Sequence, residues 1–152
     1  MKNLKDIIQE KLNRTKSSLM LEKLKINSKS KISKYTYHPK DKDELQNLIK
    51  QLIKKCGNEA DLNDIDTSKI TDMSYLFSDT IYGYGLYNFN GDISEWDVSN
   101  VITMRMMFCL SKFDETNGNL SNWDVRNVKS MYYMFHLCPL EKNPPKWYHE
   151  KS

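Results

Sequence analysis

The second half of the chain contains three copies of one pattern of sixteen residues. The copies read LNDIDTSKITDMSYLF at residues 62–77, ISEWDVSNVITMRMMF at 93–108 and LSNWDVRNVKSMYYMF at 120–135. Successive copies begin 31 and then 27 residues apart, a period typical of proteins built from stacked repeats. Because a unit this short cannot bury its own apolar face, we expect the copies to stack on one another.

Each copy predicts a short strand followed by a short helix. Trp96 and Val98 lie two residues apart and face the same side of a strand, with Asp97 on the other side. The ending M-x-x-M-F places apolar residues at i, i+3 and i+4, as on the inner face of a helix. Favoured N-cap residues stand just before this ending: Asp72, Thr103 and Ser130. The Met and Phe side chains are predicted to be core, although a Met-rich stripe also suits a soft binding groove.

An aspartate recurs at one place in each copy, as Asp66, Asp97 and Asp124. Like charges on strands about 4.8 Å apart repel unless each carboxylate has a local partner. An aspartate can accept a nearby backbone N–H in an Asx turn, which is the first interpretation. The alternative is an exposed acidic ladder that recognises a basic partner. Its candidate binding residues are Glu95, Asp97, Asp124 and Arg126.

The run FNGDISEWDVSNVITMRMMF at residues 89–108 resembles the repeat of bacterial surface proteins and mycoplasma lipoprotein-associated proteins, which is roughly 26 residues long. W-D-V together with M-x-x-M-F carries this resemblance, which covers about residues 62–138. The first copy departs from the pattern, with Ile65 where the others have Trp96 and Trp123. The resemblance implies a leucine-rich-repeat-like solenoid that binds other macromolecules. Many family members are anchored at a cell surface, and others occur in phage and mobile-element proteins.

The predicted fold class is therefore an α/β solenoid, a leucine-rich-repeat-like stack of short strand and short helix units with an N-terminal helical cap. Four regions are expected: a basic N-terminal helix and linker at 1–34, a strand and capping helix at 35–61, the three-repeat solenoid at 62–138 and a C-terminal cap at 139–152. The prolines and the Trp147-Tyr148 pair of the last region predict an end to stacking, and we interpret the chain as complete.

The capping helix has the clearest local signals. Its apolar stripe comprises Leu45, Leu48, Ile49, Leu52, Ile53 and Cys56. Asp41 followed three residues later by Glu44 resembles a capping box, and Gly57 fits the C-terminal stop. The helix directly precedes the repeats and is predicted to cover the first one.

Charge is distributed unevenly along the chain. Residues 1–57 contain 15 Lys+Arg against 6 Asp+Glu, and the remainder contains 8 against 14, so the two parts carry +9 and −6. The chain has no signal-peptide pattern, lipoprotein-type cysteine or membrane-spanning run, which predicts a soluble, cytoplasmic protein without membrane contact. Cys56, Cys109 and Cys138 are predicted to be reduced and mostly buried thiols.

No residue pattern indicates catalysis. None of the three histidines has a triad-like partner, and the glycines lack the spacing of a phosphate-binding loop. Cys109, His136 and Cys138 make only a weak zinc pattern, and thiols filling the edge of the core are the preferred reading. We therefore expect no catalytic residues, no metal and no cofactor.

Two features outside the repeats are candidates for partner binding. The insertion IYGYGLYN at residues 81–88 presents Tyr82, Tyr84 and Tyr87 in a composition typical of recognition loops, although a longer turn covering the first repeat would explain it as well. A candidate basic patch comprises Lys23, Lys25, Lys29, Lys31 and Lys34. Nucleic-acid contact through this patch is a weaker alternative to an ordinary lysine-rich edge.

The leading functional hypothesis is a non-catalytic protein-binding repeat module acting through its exposed surface and the Tyr/Gly insertion. The first alternative is a small phage or mobile-element inhibitor whose acidic repeats block a host nucleic-acid-processing complex. The second alternative is a structural subunit of a larger particle. The expected partner is another protein or a protein–nucleic acid complex.

Overall fold

The structure, a computed structural model, describes residues 3–11, 13 and 33–150. The chain divides into two compact units, Met1–Lys34 and Tyr35–Ser152. In the first unit, residues 4–11 and 13 are helical, as predicted for the N-terminal region. The second unit contains the three copies.

The predicted capping helix is confirmed, and it spans Lys42–Cys56. The Asp41 side chain accepts a hydrogen bond from the backbone N–H of Glu44 at 2.9 Å. At the other end, Gly57 follows the helix with φ of 88°, a left-handed value that glycine adopts easily. Leu45 and Ile49 are fully buried, so the apolar stripe packs into the core, whereas Cys56 at its end is exposed.

The predicted α/β solenoid of strand and helix units is wrong. In the described part of the second unit, the regular elements are the helix Lys42–Cys56 and a 3-10 helix, Pro139–Glu141. Within that part, strand pairing is limited to isolated parallel bridges, and the strand expected in 35–61 is reduced to one of them. The bridges are Tyr37 with Ile65, Asp61 with Asp92, Asp72 with Thr103, and Thr103 with Ser130. The leucine-rich-repeat-like description is wrong for the same reason.

The copies instead consist of turns whose backbones bond to the next copy. Met73, Tyr75 and Phe77 donate their N–H groups to carbonyls of the second copy at 2.8–3.0 Å. The corresponding residues of the second copy donate to the third in the same way, at 2.9 Å: Met104, Met106 and Phe108. These N–H groups are therefore not available for the i to i−4 bonds of a helix.

A left-handed residue also interrupts the predicted helix in every copy. Tyr75, Met106 and Tyr133 occupy the third position of M-x-x-M-F and have φ of 60°, 52° and 51°. A right-handed helix cannot continue through such a residue. The expected N-cap oxygens serve turns instead: Asp72 accepts from the Ser74 N–H at 2.7 Å, and the Thr103 hydroxyl accepts from the Arg105 N–H at 3.3 Å.

The prediction of an inward Met and Phe face is nevertheless confirmed. The Met, Leu and Phe side chains of this face are at most 1% exposed in all three copies. Phe77, Phe108 and Phe135 form a column with ring centroids 5.4 and 5.7 Å apart and planes inclined by only 9°. Dispersion attraction between these stacked rings stabilises an interior that is continuous from copy to copy.

Tryptophans form a second column beside the phenylalanines, with the Trp96 ring centroid 6.1 Å from that of Phe77. The indole N–H of Trp96 donates to the Leu62 carbonyl at 2.9 Å, and that of Trp123 donates to the Ile93 carbonyl at 3.2 Å. Leu62 and Ile93 begin their copies, so each indole satisfies a carbonyl of the preceding copy. Each tryptophan thus combines apolar burial with a hydrogen bond for its one polar atom.

The C-terminal aromatic pair extends this arrangement beyond the third copy. Trp147 donates to the Leu120 carbonyl at 2.7 Å and stacks on Trp123 with ring centroids 6.2 Å apart. Tyr148 meets Phe135 edge-on at 5.0 Å. Leu120 begins the third copy, so Trp147 takes the place that a tryptophan of a further copy would occupy.

Candidate binding surfaces

The tyrosines of the insertion have different environments. Tyr82 is 63% exposed and lies 5.5 Å from the Tyr75 ring, measured between centroids. Tyr84 packs against the core, with the Lys42 and Lys50 ammonium groups 5.7 and 5.9 Å from its ring centroid. Tyr87 is half-buried. Tyr84 and Tyr87 therefore fit the interpretation of a covering turn, and Tyr82 remains a surface candidate.

The recurring aspartates form Asx turns, as predicted. Asp66 accepts from the N–H of Ser68 at 3.1 Å and Asp97 from that of Ser99 at 3.0 Å. In the third copy, Asp124 accepts from the Arg126 N–H at 3.3 Å. Each carboxylate therefore has the local partner that offsets repulsion along the column.

The acidic candidate surface is further neutralised in the third copy. Arg126 contacts Asp124 through two hydrogen bonds of 2.8 and 2.9 Å. The side-chain and backbone hydrogen bonds from Arg126 hold the pKa of Asp124 below its usual value. Glu95 is exposed, and its backbone N–H donates to the Asn63 side chain at 2.8 Å.

Most of the candidate basic patch lies outside the described residues. Lys23, Lys25, Lys29 and Lys31 are all in that part of the chain. Lys34 is described and is exposed. The patch consequently remains a prediction from the sequence.

The three cysteines are free thiols. Cys109 and Cys138 are buried as predicted, and burial raises the pKa of Cys138 to about 11. His136 lies beside Glu141, with 3.0 Å between its Nδ1 and a carboxylate oxygen. Across the residues that the structure describes, no three His, Cys, Asp or Glu side chains are grouped to hold a metal ion.

The structure shows a partly exposed apolar surface that the sequence did not reveal. We call it the outer apolar face, and it comprises Tyr75, Ile81, Tyr82, Met106, Leu110, Tyr133 and Leu137. Ile81 is 91% exposed and Leu137 is 59% exposed. The sequence did contain a sign of this face: the third position of M-x-x-M-F holds a large apolar residue in every copy, and a helix would also direct that residue outwards.

Most residues of the outer apolar face have left-handed backbone. Tyr75, Met106 and Tyr133 share one position in successive copies, and Leu110 and Leu137 share another, with φ of 59° and 54°. The Leu110 N–H donates to the His136 carbonyl at 2.9 Å, which holds these two positions in register. Since paired backbones lie about 4.8 Å apart, the side chains form adjacent rows rather than isolated exposed residues.

None of the helices in the described ranges is long and apolar enough to cross a bilayer. The geometry defines a class of protein in which parallel turn repeats share an interior of aromatic rings and methionine side chains. One face of the outer surface is apolar.

The chain belongs to the family described as "Mycoplasma protein of unknown function, DUF285", whose model matches residues 45–151. This confirms the expected relationship to a mycoplasma-associated family. No curated protein and no solved structure matches the chain.

Proposed function

We propose that the chain is a non-catalytic protein-binding module that contacts its partner through the outer apolar face. One observation carries this proposal: five of the seven residues of that face have left-handed backbone. Each non-glycine residue in this conformation costs about 1–2 kcal/mol. Backbone strain of this kind is concentrated at functional sites, because the surrounding structure must maintain it.

The composition of the face suits a protein partner. Tyrosine provides a large amphipathic contact area and loses little conformational entropy on binding. The Arg105 guanidinium lies 5.2 Å from the centroid of the Tyr132 ring, beside the row formed by Met106 and Tyr133. Exposed apolar surface with polar neighbours is typical of protein interfaces.

The structure supports the inhibitor hypothesis less well than it supports protein binding through the outer apolar face. Blocking a nucleic-acid channel would depend on unpaired acidic charge, whereas Asp124 is paired with Arg126 and the recurring aspartates are engaged in turns. The apolar face therefore has the stronger physical argument.

We also propose that the chain functions in the cytoplasm and that its repeats are related to those of bacterial surface proteins. The unpaired, buried thiols of Cys109 and Cys138 support the first part, because disulfides are uncommon in reducing compartments. Fractionation of source cells expressing a tagged chain tests this location.

Quantitative affinity capture from a source-cell lysate tests the binding face. The test variant carries Ile81→Ser, Tyr82→Ser and Leu137→Ser, all at exposed positions. The control variant carries Glu95→Gln and Asp97→Asn, which remove charge from the acidic candidate surface and keep side-chain shape. We expect the test variant to recover about tenfold less of a specific partner, and the control to match wild type.

Thermal unfolding of each variant shows that loss of capture is not loss of folding. Equal recovery by wild type and the test variant would exclude the outer apolar face. Loss of capture in the control variant alone would transfer the site to the acidic surface and favour the inhibitor hypothesis.

A further inference from the structure

Within the described ranges, the backbone ladder between copies ends at the third copy and leaves a row of N–H groups without acceptors. In the first copy and the two residues after it, the donors are Met73, Tyr75, Phe77 and Asp79. In the second copy and the two residues after it, they are Met104, Met106, Phe108 and Leu110. All eight bonds measure 2.8–3.1 Å. The equivalent donors of the third copy are Met131, Tyr133, Phe135 and Leu137. Within the described ranges, no hydrogen-bond acceptor contacts these four N–H groups.

The C-terminal segment covers the third copy elsewhere but does not complete this row. Trp147 bonds to the Leu120 carbonyl, which continues the tryptophan column. Tyr148 approaches Phe135 through its ring. Neither residue supplies a backbone carbonyl to the row. Trp147 thus covers the tryptophan column at the third copy, whereas the N–H groups of the Met-Phe turn have no acceptor among the residues that the structure describes.

A pocket of about 230 Å³ lies beside this row. Its lining comprises Tyr133, Phe135, His136, Glu141, Tyr148 and Glu150. Three aromatic rings and two carboxylates thus surround one opening, with Glu141 also contacting His136. Burial raises the pKa of Tyr148, and the negative charges of Glu150 and Glu141 raise it further. The pocket therefore combines apolar walls with negative potential, which suits a positively charged group on an aliphatic stem.

We propose that this edge binds a peptide segment of another protein that carries a lysine or arginine side chain. Carbonyls of alternate peptide residues would accept from the four N–H groups, as the carbonyls of a following copy do. This is addition of a peptide to an open backbone edge, in which main-chain bonds give affinity and a side-chain pocket gives specificity. The cation enters between Tyr133 and Tyr148 and pairs with Glu141 and Glu150. The site is distinct from the outer apolar face, although the two share Tyr133 and Leu137.

Titration of the ¹⁵N-labelled full chain with a blocked peptide, acetyl-Thr-Val-Lys-Gly-Val-Thr-Ser-amide, tests this proposal. The glycine allows the peptide to follow the left-handed turn that Met106 makes in the second copy. We expect the amide signals of Tyr133 and Phe135 to shift on binding. Replacement of lysine by norleucine removes the charge and is expected to weaken binding by about 2- to 5-fold, and replacement by glutamate to weaken it more.

Matched protein variants separate the pocket from general electrostatics. Glu141→Gln with Glu150→Gln is expected to reduce the affinity for the lysine peptide to that for the norleucine peptide. Glu59→Gln, at an exposed position before the first copy, is the control and should leave affinity unchanged. Equal affinities for the lysine, norleucine and glutamate peptides would overturn the proposal.

Two other outcomes would also overturn the proposal. The first would give the peptide a different site, and the second would give the edge a different occupant. Shifts at Tyr82 and Leu110 instead of Tyr133 and Phe135 would place the peptide on the outer apolar face. Shifts of the Tyr133 and Phe135 amides with protein concentration alone would show that a second copy of the chain occupies the edge. Because the capture experiment uses different substitutions, the two proposals fail independently.

Discussion

At the scale of single residues, Asp72 shows how a partly buried carboxylate is made tolerable. It accepts the Ser74 N–H and hydroxyl at 2.7 and 2.6 Å and lies 3.2 Å from the Lys42 ammonium group. Desolvation tends to raise the pKa of Asp72, but the hydrogen bonds from Ser74 and the charge of Lys42 outweigh it and lower that pKa. The charged form of Asp72 therefore stabilises the fold.

This coupling predicts a stability loss in acid. The folded-state pKa of Asp72 is below the unfolded value of about 3.9, so the unfolded state binds more protons in this range. The stabilisation is complete above the unfolded pKa and disappears as pH falls through the folded pKa. Urea unfolding between about pH 5 and pH 2 should show a shallower decline for Asp72→Asn than for wild type. Asp79→Asn, at an exposed site in the same copy, is the control, and identical slopes in all three proteins would refute the coupling.

At the scale of elements, the M-x-x-M-F segment shows why side-chain spacing alone does not define a helix. The i, i+3, i+4 pattern correctly predicts which side chains face inwards. A turn with one left-handed residue produces the same inward set, as Met104, Met107 and Phe108 demonstrate with 0% exposure. The difference lies in the backbone, whose N–H groups bond to the neighbouring copy.

Substitutions at Met106 distinguish the turn from a helix by their rank order. In a helix, valine is more favourable than glycine by a few tenths of a kcal/mol. At the observed φ of 52°, glycine is unstrained, whereas a β-branched side chain strongly disfavours the left-handed region. We expect Met106→Gly to be more stable than Met106→Val by about 1–2 kcal/mol, measured by urea unfolding. The opposite order would indicate a helix.

At the scale of the whole molecule, the second unit is held together by interactions that repeat from copy to copy. Backbone bonds connect the turns, and aromatic rings align in the Phe column. The indole N–H groups of the tryptophans also bond to carbonyls of the preceding copy. Asparagine side chains add a further link: Asn100 donates to the Ser68 carbonyl and Asn127 to the Ser99 carbonyl at 2.8 and 2.7 Å. Stability therefore depends on contacts between neighbouring copies.

Hydrogen exchange at three equivalent amides measures this dependence. The N–H groups of Tyr75 and Met106 bond to the next copy at 3.0 and 2.9 Å, whereas that of Tyr133 has no acceptor within the described ranges. We expect Tyr133 to exchange at least about 100-fold faster than the other two, because a bonded amide exchanges only when the structure opens. Comparable protection of all three amides would show that the edge of the third copy is already occupied.

Local signals sufficed for the helix Lys42–Cys56 because its cap, stripe and stop residues act within the helix itself. They also sufficed for the Asx turns, in which donor and acceptor are two residues apart. Local signals failed to predict the turns that replace the strand and helix units. A left-handed turn is normally recognised in a sequence by a glycine, but here the left-handed positions hold residues such as Tyr75 and Met106. The outer apolar face was missed because the pattern indicates which side chains face inwards, whereas the alignment of the outward residues depends on backbone bonds between copies.

The sequence by itself determined the repeats, their register, the inward methionines, phenylalanines and tryptophans, and the capping helix, since periodic burial and local capping are encoded by neighbouring residues. Only the tertiary structure decided that the copies are turns and that Tyr75, Met106 and Tyr133 align in a row at the surface. It also decided that, within the described ranges, the third copy retains N–H groups without acceptors. The physical reason is that a backbone amide has one hydrogen to donate. Whether it bonds within its own segment or to a segment 27 or 31 residues away depends on which neighbour folding brings alongside.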